Sequence, residues 1–243
     1  MFDDNLIAYA SRCAPAEACG YVVRTQHGDI FLPFENHSVK PTQYFSMTPE
    51  DYLHACNIGE VIALVHSHPD GEPFLSTADR HTQLGMALPW WLVCNRQIYK
   101  FRCVPPLLGR KFMHGNMDCY TLFRDAYELA GINLPDFPRE DDWWRHGQDL
   151  YLDNLPQYGF SQVSADAAQP GDLVLCCFGS SVANHAALLC DDGVLLHHLP
   201  YQLSKRERYS DKWLRRTHSI WRHEAWQPMS YTGIYNDLVV AYP

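Results

Sequence analysis

Residues 61–88 read VIALVHSHPDGEPFLSTADRHTQLGMAL, and they decide the architecture of the first half of the chain. Val61 to Val65 is a short apolar, partly β-branched run of the buried-strand type, and it ends where His66 begins. The stretch from Ser76 onward has the pattern of a helix, with Ser76 as N-cap and Asp79 at the third helical position of a capping box. His66 and His68 are two apart at a strand end, so their side chains leave one face and two imidazoles can meet one ion. Asp79 offers a third donor. An N, N, O set leaves the fourth tetrahedral position to water, which is the arrangement of a hydrolytic zinc rather than a closed structural one. Glu17, in PAEACG at the start of the first strand, is the candidate base, and Ser76 is the candidate to steady an oxyanion. A plainer reading stands beside this one, because S-x-x-D can serve the helix start alone and His-x-His is common. The two are compatible: a capped helix start holds Asp79 still.

Working outward, NLIAYASRC predicts a short helix ending at Pro15, followed by a strand from about Ala18 to Arg24 that QHGD turns into IFLPF as a hairpin. Pro49 opens a helix, PEDYLHAC, and WWLVC and IYKFRC read as strands joined by NRQ. Residues 1–103 thus form an α/β unit. Two adjacent prolines without periodicity make VPPLLGRK the connector, with 104–110 as its bounds, and 111–243 form a second unit.

In that second unit Cys119, Leu122, Phe123, Ala126 and Ala130 make one apolar helical stripe that Gly131 can terminate. PREDDWWRHGQDLYLDNL predicts a second helix, and PGDLVLCCF, NHAALLC and VLLHHL predict successive strands, an α+β order. The aromatic last twenty residues are expected to dock on this unit.

Cys119 sits in the first turn of its helix, where unpaired N–H groups and the helix dipole favour a thiolate. His185 begins a strand and is placed to take the thiol proton and return it to a leaving amine. The turn between the two strands decides which histidine orients it. A three-residue loop, Asp191 to Gly193, pairs Cys190 with Val194 and Ala187 with His197, which puts His185 and His197 on one face. A two-residue Asp192-Gly193 turn would join His185 to His198 instead.

Composition bounds the partners. A net charge of -9, from 28 acidic and 19 basic residues, shows no basic face and argues against nucleic acid. Nine cysteines with no C-x-x-C pair fit reduced thiols made in a cytoplasm. MFDDNLIAYASRC lacks the basic start and apolar run of a signal peptide, and no stretch reaches the roughly 18 apolar residues of a membrane span, so no membrane insertion is expected.

Glu17, HSHP at 66–69, Ser76 and Asp79 resemble the JAMM motif of the MPN-type metallopeptidases. The resemblance implies a cytidine-deaminase-like sandwich, Zn2+ on His66, His68 and Asp79, Glu17 as general base, Ser76 supporting the transition state, and cleavage of a peptide or isopeptide bond. MDCYTLFRDAY, QPGDLVLC and the spacing from His185 to His197 resemble the NlpC-type cysteine peptidases of bacterial cell walls. That implies a papain-like fold with Cys119, His185 and His197 as catalytic residues and peptidoglycan stem peptides as substrate. Tyr120 stands where that family often has serine, and Phe112 where a tyrosine is common. The two units together, with NHAALLCDDGVLLHHLPYQLSKRERYS, resemble tail assembly proteins of lambda-type siphophages. What this implies is assembly in the host cytoplasm with other tail-tip proteins, a place at the virion tail tip, and a local cut in the wall during entry. A tail-protein maturation protease and a scaffold with vestigial sites are the other readings.

Overall fold

The computed structural model describes residues 2–240. The chain divides into two compact units, the first ending at Val104 and the second beginning at Pro105. Part of the expected connector belongs to the second unit: Leu107 and Arg110 are buried there. Arg110 pairs with Asp125 at 2.8 Å and donates to the carbonyls of Pro105 and Pro106. Two prolines remove amide donors but leave carbonyls, and one guanidinium gathers both.

The first unit runs α1 (Phe2–Cys13), β1 (Cys19–Thr25), β2 (Gly28–Phe34), α2 (Pro49–Ile58), β3 (Glu60–Ser67), α3 (Thr77–Met86), β4 (Trp90–Cys94) and β5 (Gln97–Phe101). Every element expected from the sequence forms. The sheet order is β2-β1-β3-β4-β5, antiparallel except for β3 beside β4, and a parallel pair needs a crossover, which α3 supplies. Alternation sends Tyr21, Val23, Leu64 and Leu92 to one face with Ala55 of α2. Val22, Ala63, Val65 and Val93 go to the other with Leu6 and Ala10 of α1. Both faces of the sheet are covered, which is why VIALV reads as an unbroken apolar run. His66 continues the Leu64 face, its ring 5.2 Å from that of Trp90 and 4.9 Å from that of Phe45.

The second unit opens with α4 (Cys119–Leu129), then α5 (Leu150–Asn154), β6 (Phe160–Val163), β7 (Leu173–Cys176), β8 (His185–Cys190), β9 (Val194–His197), β10 (Lys205–Arg208), α6 (Asp211–Leu214), β11 (Thr217–His223) and α7 (Tyr231–Leu238). Its antiparallel sheet has the order β10-β9-β8-β7-β11-β6. α4 forms where expected, with Gly131 at φ 77 just beyond its end, but it is buried on nearly all sides rather than along one stripe. Its polar groups therefore need partners. Asp125 meets Arg110, and the Tyr127 hydroxyl donates to the Gly171 carbonyl at 2.8 Å. Gly171 itself, at φ 95, lies so close to Trp226 that an added Cβ would stand 1.8 Å from the ring.

The continuous helix expected over 138–155 is not formed. A single 3-10 turn at Trp143–His146 is bounded by Asp142 at φ 54 and Gly147 at φ 79, and α5 restarts at Leu150 behind Asp149, whose carboxylate accepts from the Leu152 amide at 3.4 Å. Left-handed residues at both ends break the helical path, and Trp143 packs edge-on against Tyr151, 5.9 Å between ring centroids. The hairpin register is the three-residue one, Cys190 opposite Val194 and Ala187 opposite His197. Asp192 and Gly193 both take positive φ in the loop. Of the last twenty residues, those described, through 240, dock as expected, and 241–243 lie outside the described residues: Leu107 N–H donates to Asp237 at 2.9 Å, and Asp191 N–H to the Tyr231 hydroxyl at 3.2 Å. Among the described residues no helix is long and apolar enough to cross a membrane.

Candidate functional site

Two clusters of reactive side chains form, one in each unit. In the first, β3 delivers His66 and the residue just past its end is His68, while α3 delivers Asp79 from its first turn. Ser76 caps that helix: Asp79 N–H donates to Ser76 Oγ at 3.1 Å and Ser76 N–H to Asp79 Oδ2 at 2.8 Å. The capping box is therefore real, and it holds Oδ2 against the imidazoles. His66 Nε2 and His68 Nε2 are 3.1 Å apart, and Asp79 Oδ2 is 3.4 Å from the first and 3.2 Å from the second.

The donor set fits a small four-coordinate cation. Bonds of about 2.0–2.1 Å give a tetrahedron with edges of about 3.3–3.4 Å, close to these separations. His68 Nδ1 lies 2.9 Å from the Glu72 carbonyl, which can accept only if Nδ1 carries the proton, so Nε2 is left bare and able to ligate. His66 Nδ1 is buried without a hydrogen-bond partner among the described residues, and burial lowers the affinity of that ring for a proton. Burial works against ionising Asp79, yet the two imidazoles hold its carboxyl well below the usual carboxylate range. Bare ring nitrogens and a carboxylate at such distances repel unless a cation or shared protons lie between them.

Strand pairing brings up Glu17. Cys19 of β1 sits opposite His66, and continuing that antiparallel register two residues puts Glu17 opposite His68. Ala18 N–H donates to Ser67 Oγ and Ser67 N–H returns to the Ala18 carbonyl, which extends the pairing past the strand. Burial pushes the Glu17 carboxyl up to about 7, with Asp79 adding to the rise and His68 opposing it.

In the second unit Asp118 caps α4. Its carboxylate accepts from Thr121 N–H at 3.0 Å and Gly115 N–H at 2.9 Å, and from Arg139 Nε at 3.0 Å. Cys119 follows, and with His185 it lines a cavity of about 840 Å3 whose walls include Trp143, Trp144, Arg139 and Tyr201. The helix start does not make the thiol acidic. Burial pushes it up to about 11 and Asp118 adds to that, outweighing the Tyr151 hydroxyl and the Ala186 amide, which act the other way. His185 is likewise buried, and its affinity for a proton falls to about 3, chiefly through burial with help from His197. The two groups rest as thiol and neutral imidazole.

His197 lies beside His185, 6.1 Å between ring centroids, with Trp213 against both. No hydrogen bond joins the two rings among the described residues. His197 Nε2 stands 3.4 Å from Glu207 Oε2 without hydrogen-bond alignment, and burial brings its affinity down to about 4. His198 points away, onto Phe112. Tyr151 and Glu207 were not legible as neighbours of the site. Tyr151 lies 32 residues from the cysteine its hydroxyl meets at 3.3 Å, and no local pattern marks it.

Residues 3–104 match the model for prokaryotic homologs of the JAB domain, and residues 109–222 match the NlpC/P60 family. The chain thus joins a JAB-type unit to an NlpC/P60 unit. Over 195 residues it is 69% identical to tail tip assembly protein K of Escherichia phage lambda, covering 80% of this chain and 98% of the relative. The protein of the same name from Escherichia phage N15 is 34% identical over 228 residues, covering 91% of this chain and 93% of that one. The chain belongs to the tail tip assembly protein K family. A solved structure from Staphylococcus aureus, described as similar to a lipoprotein of the NLP/P60 family, aligns with TM-score 0.37 and 14% identity. The alignment covers 91% of this chain and 60% of that one, a likeness too weak to bear on the fold.

Proposed function

We propose that this chain is a tail-tip protein with two peptidase sites, one zinc-dependent and one thiol-dependent. The observation that carries the reading is that Cys119 and His185 open into one cavity within the stretch that matches the NlpC/P60 family. Residues 1–103 serve as a JAMM-type metallopeptidase domain, and 111–243, with the packed stretch 105–110 before it, as a papain-like cysteine peptidase domain that cuts peptidoglycan stem peptides. The protein works with other tail-tip proteins during assembly in the host cytoplasm and acts on the wall from the virion tail.

At the first site His66, His68 and Asp79 would hold Zn2+, which supplies a Lewis acid and lowers the pKa of a water. Glu17, raised by burial, supplies the proton acceptor. Ser76 Oγ accepts from the Asp79 amide through a lone pair, so its own proton is available to an oxyanion.

At the second site the thiol proton of Cys119 passes to His185 as sulfur bonds to the carbonyl carbon, and the carbonyl π pair moves onto oxygen. That pair returns as the C–N bond breaks, and His185 gives its proton to the amine nitrogen. The S–C bond is then cleaved by water. Because thiol and imidazole rest neutral, the proton leaves sulfur for His185 when the site is activated, and charge develops on sulfur before the S–C bond is complete. His197 packs beside His185 and limits its rotation.

Zinc content and digestion of peptidoglycan are measured together on His66→Ala, Asp79→Ala, Cys119→Ala and His185→Ala. The first two lose zinc and keep wall digestion, and the last two do the reverse. Wall digestion undiminished in Cys119→Ala refutes the thiol assignment. If neither zinc binding nor digestion occurs in the unaltered protein, the chain is a scaffold.

A further inference from the structure

One polar side chain at the thiol has no part in the scheme above. Tyr151 is 6% exposed, and its hydroxyl oxygen lies 3.3 Å from Cys119 Sγ. The ring is fixed by Trp143 and Phe123, at 5.9 and 6.5 Å between centroids, and by its place in α5, whose start Asp149 caps. The stretch before it breaks at Gly147, and α5, which carries the hydroxyl, restarts at Leu150.

We propose that Tyr151 is a catalytic residue of the thiol site, its phenol donating a hydrogen bond to Cys119 sulfur once His185 has taken the thiol proton. The inference rests on the thiol peptidase reading above. While the thiol is protonated, either atom can donate to the other. After the proton has left, only the phenol has a hydrogen to give. A hydrogen bond to an ionised acceptor is about twice as strong as a neutral one, so the contact tightens as charge develops on sulfur. An interaction stronger in the activated state than in the resting state raises the rate of attack. It is also needed here: burial and the adjacent Asp118 both oppose a charged sulfur, and the Ala186 amide is the other donor on that side. The phenol does not compete for the role of acid, because burial first and Cys119 second hold its own ionisation far above neutrality. No bond to Tyr151 forms or breaks, and the sulfur's charge leaves it as the S–C bond forms.

The test uses the full chain and reads alkylation of Cys119 by iodoacetamide across pH, with the modified peptide quantified by mass spectrometry so that the other cysteines do not contribute. Tyr151→Phe keeps the ring between Trp143 and Phe123 and removes only the donor. The expected result is an ionisation midpoint about one pH unit or more higher, equivalent to alkylation about 10-fold slower at fixed pH. A 3-fluorotyrosine at the same position, a more acidic donor, shifts the midpoint the other way. Profiles that coincide for all three proteins overturn the proposal. Peptide cleavage is scored separately, with kcat falling in Tyr151→Phe at unchanged KM. An unaltered protein that cleaves no peptide refutes the proposed function, while the alkylation profiles still decide the Tyr151 contact. Undiminished cleavage in Tyr151→Phe with unshifted alkylation removes Tyr151 from the mechanism and leaves the peptidase reading in place.

Discussion

Acidification from pH 7 to 5 is expected to destabilise the second unit through His185 and His197. Both rings are buried beside Trp213, with affinities pushed down by burial to about 3 and about 4. In the unfolded chain a histidine protonates near 6.5. Between those limits the unfolded chain binds more protons than the folded one, so the stability is complete above about pH 6.5 and drains as pH falls toward 4. Each pH unit below 6.5 removes up to about 1.4 kcal/mol per histidine. At pH 5 that amounts to about 2 kcal/mol for His197 and about 4 kcal/mol for the pair, against a total of about 5–15 kcal/mol for a domain. Urea titrations with pulse-labelled amide exchange, read at β8 and β9, isolate this unit from the first. The midpoint should fall steadily from pH 6.5 to 5, and His197→Gln should reduce that slope by the share of one histidine, up to about 1.4 kcal/mol per pH unit. A midpoint independent of pH, or a His197→Gln slope equal to that of the unaltered protein, would refute the reasoning.

Other substitutions probe the rest of the framework. In Asp79→Asn an amide oxygen can still accept from Ser76 N–H, so α3 keeps that contact while zinc affinity by equilibrium dialysis falls more than about 100-fold; unchanged affinity would exclude the proposed ligand set. Asp118→Ala removes the α4 cap and leaves the largely buried Arg139 with Asp136 as its remaining carboxylate, a loss of about 3 kcal/mol in urea unfolding. Gly171→Ala forces Trp226 aside and strains a backbone at φ 95, and should cost about 3 kcal/mol by the same measurement. A change below about 0.5 kcal/mol would mean that Trp226 moves freely.

Much of the site was readable because it is local. His66 and His68 share a strand's face by period alone, Ser76 and Asp79 sit at a capping interval, and counting from a three-residue loop put Ala187 opposite His197. The α/β elements of the first unit follow from apolar runs bounded by turn residues. The pattern of 138–155 predicts one helix that does not form, because Asp142 and Gly147 take left-handed backbone conformations and of these only Gly147 announces the possibility in sequence.

From sequence alone came the residues spaced for one ion, the order of the elements in the first unit and, given a three-residue loop, the histidine that His185 faces, since each follows from strand period, a capping interval or a short turn. Only the tertiary structure decided that the Tyr151 hydroxyl meets the thiol, that Glu207 stands by His197, and that Cys119 and His185 rest neutral. Proximity between distant segments and the withdrawal of water from an ionisable group arise from packing of the whole unit, and no local pattern encodes them.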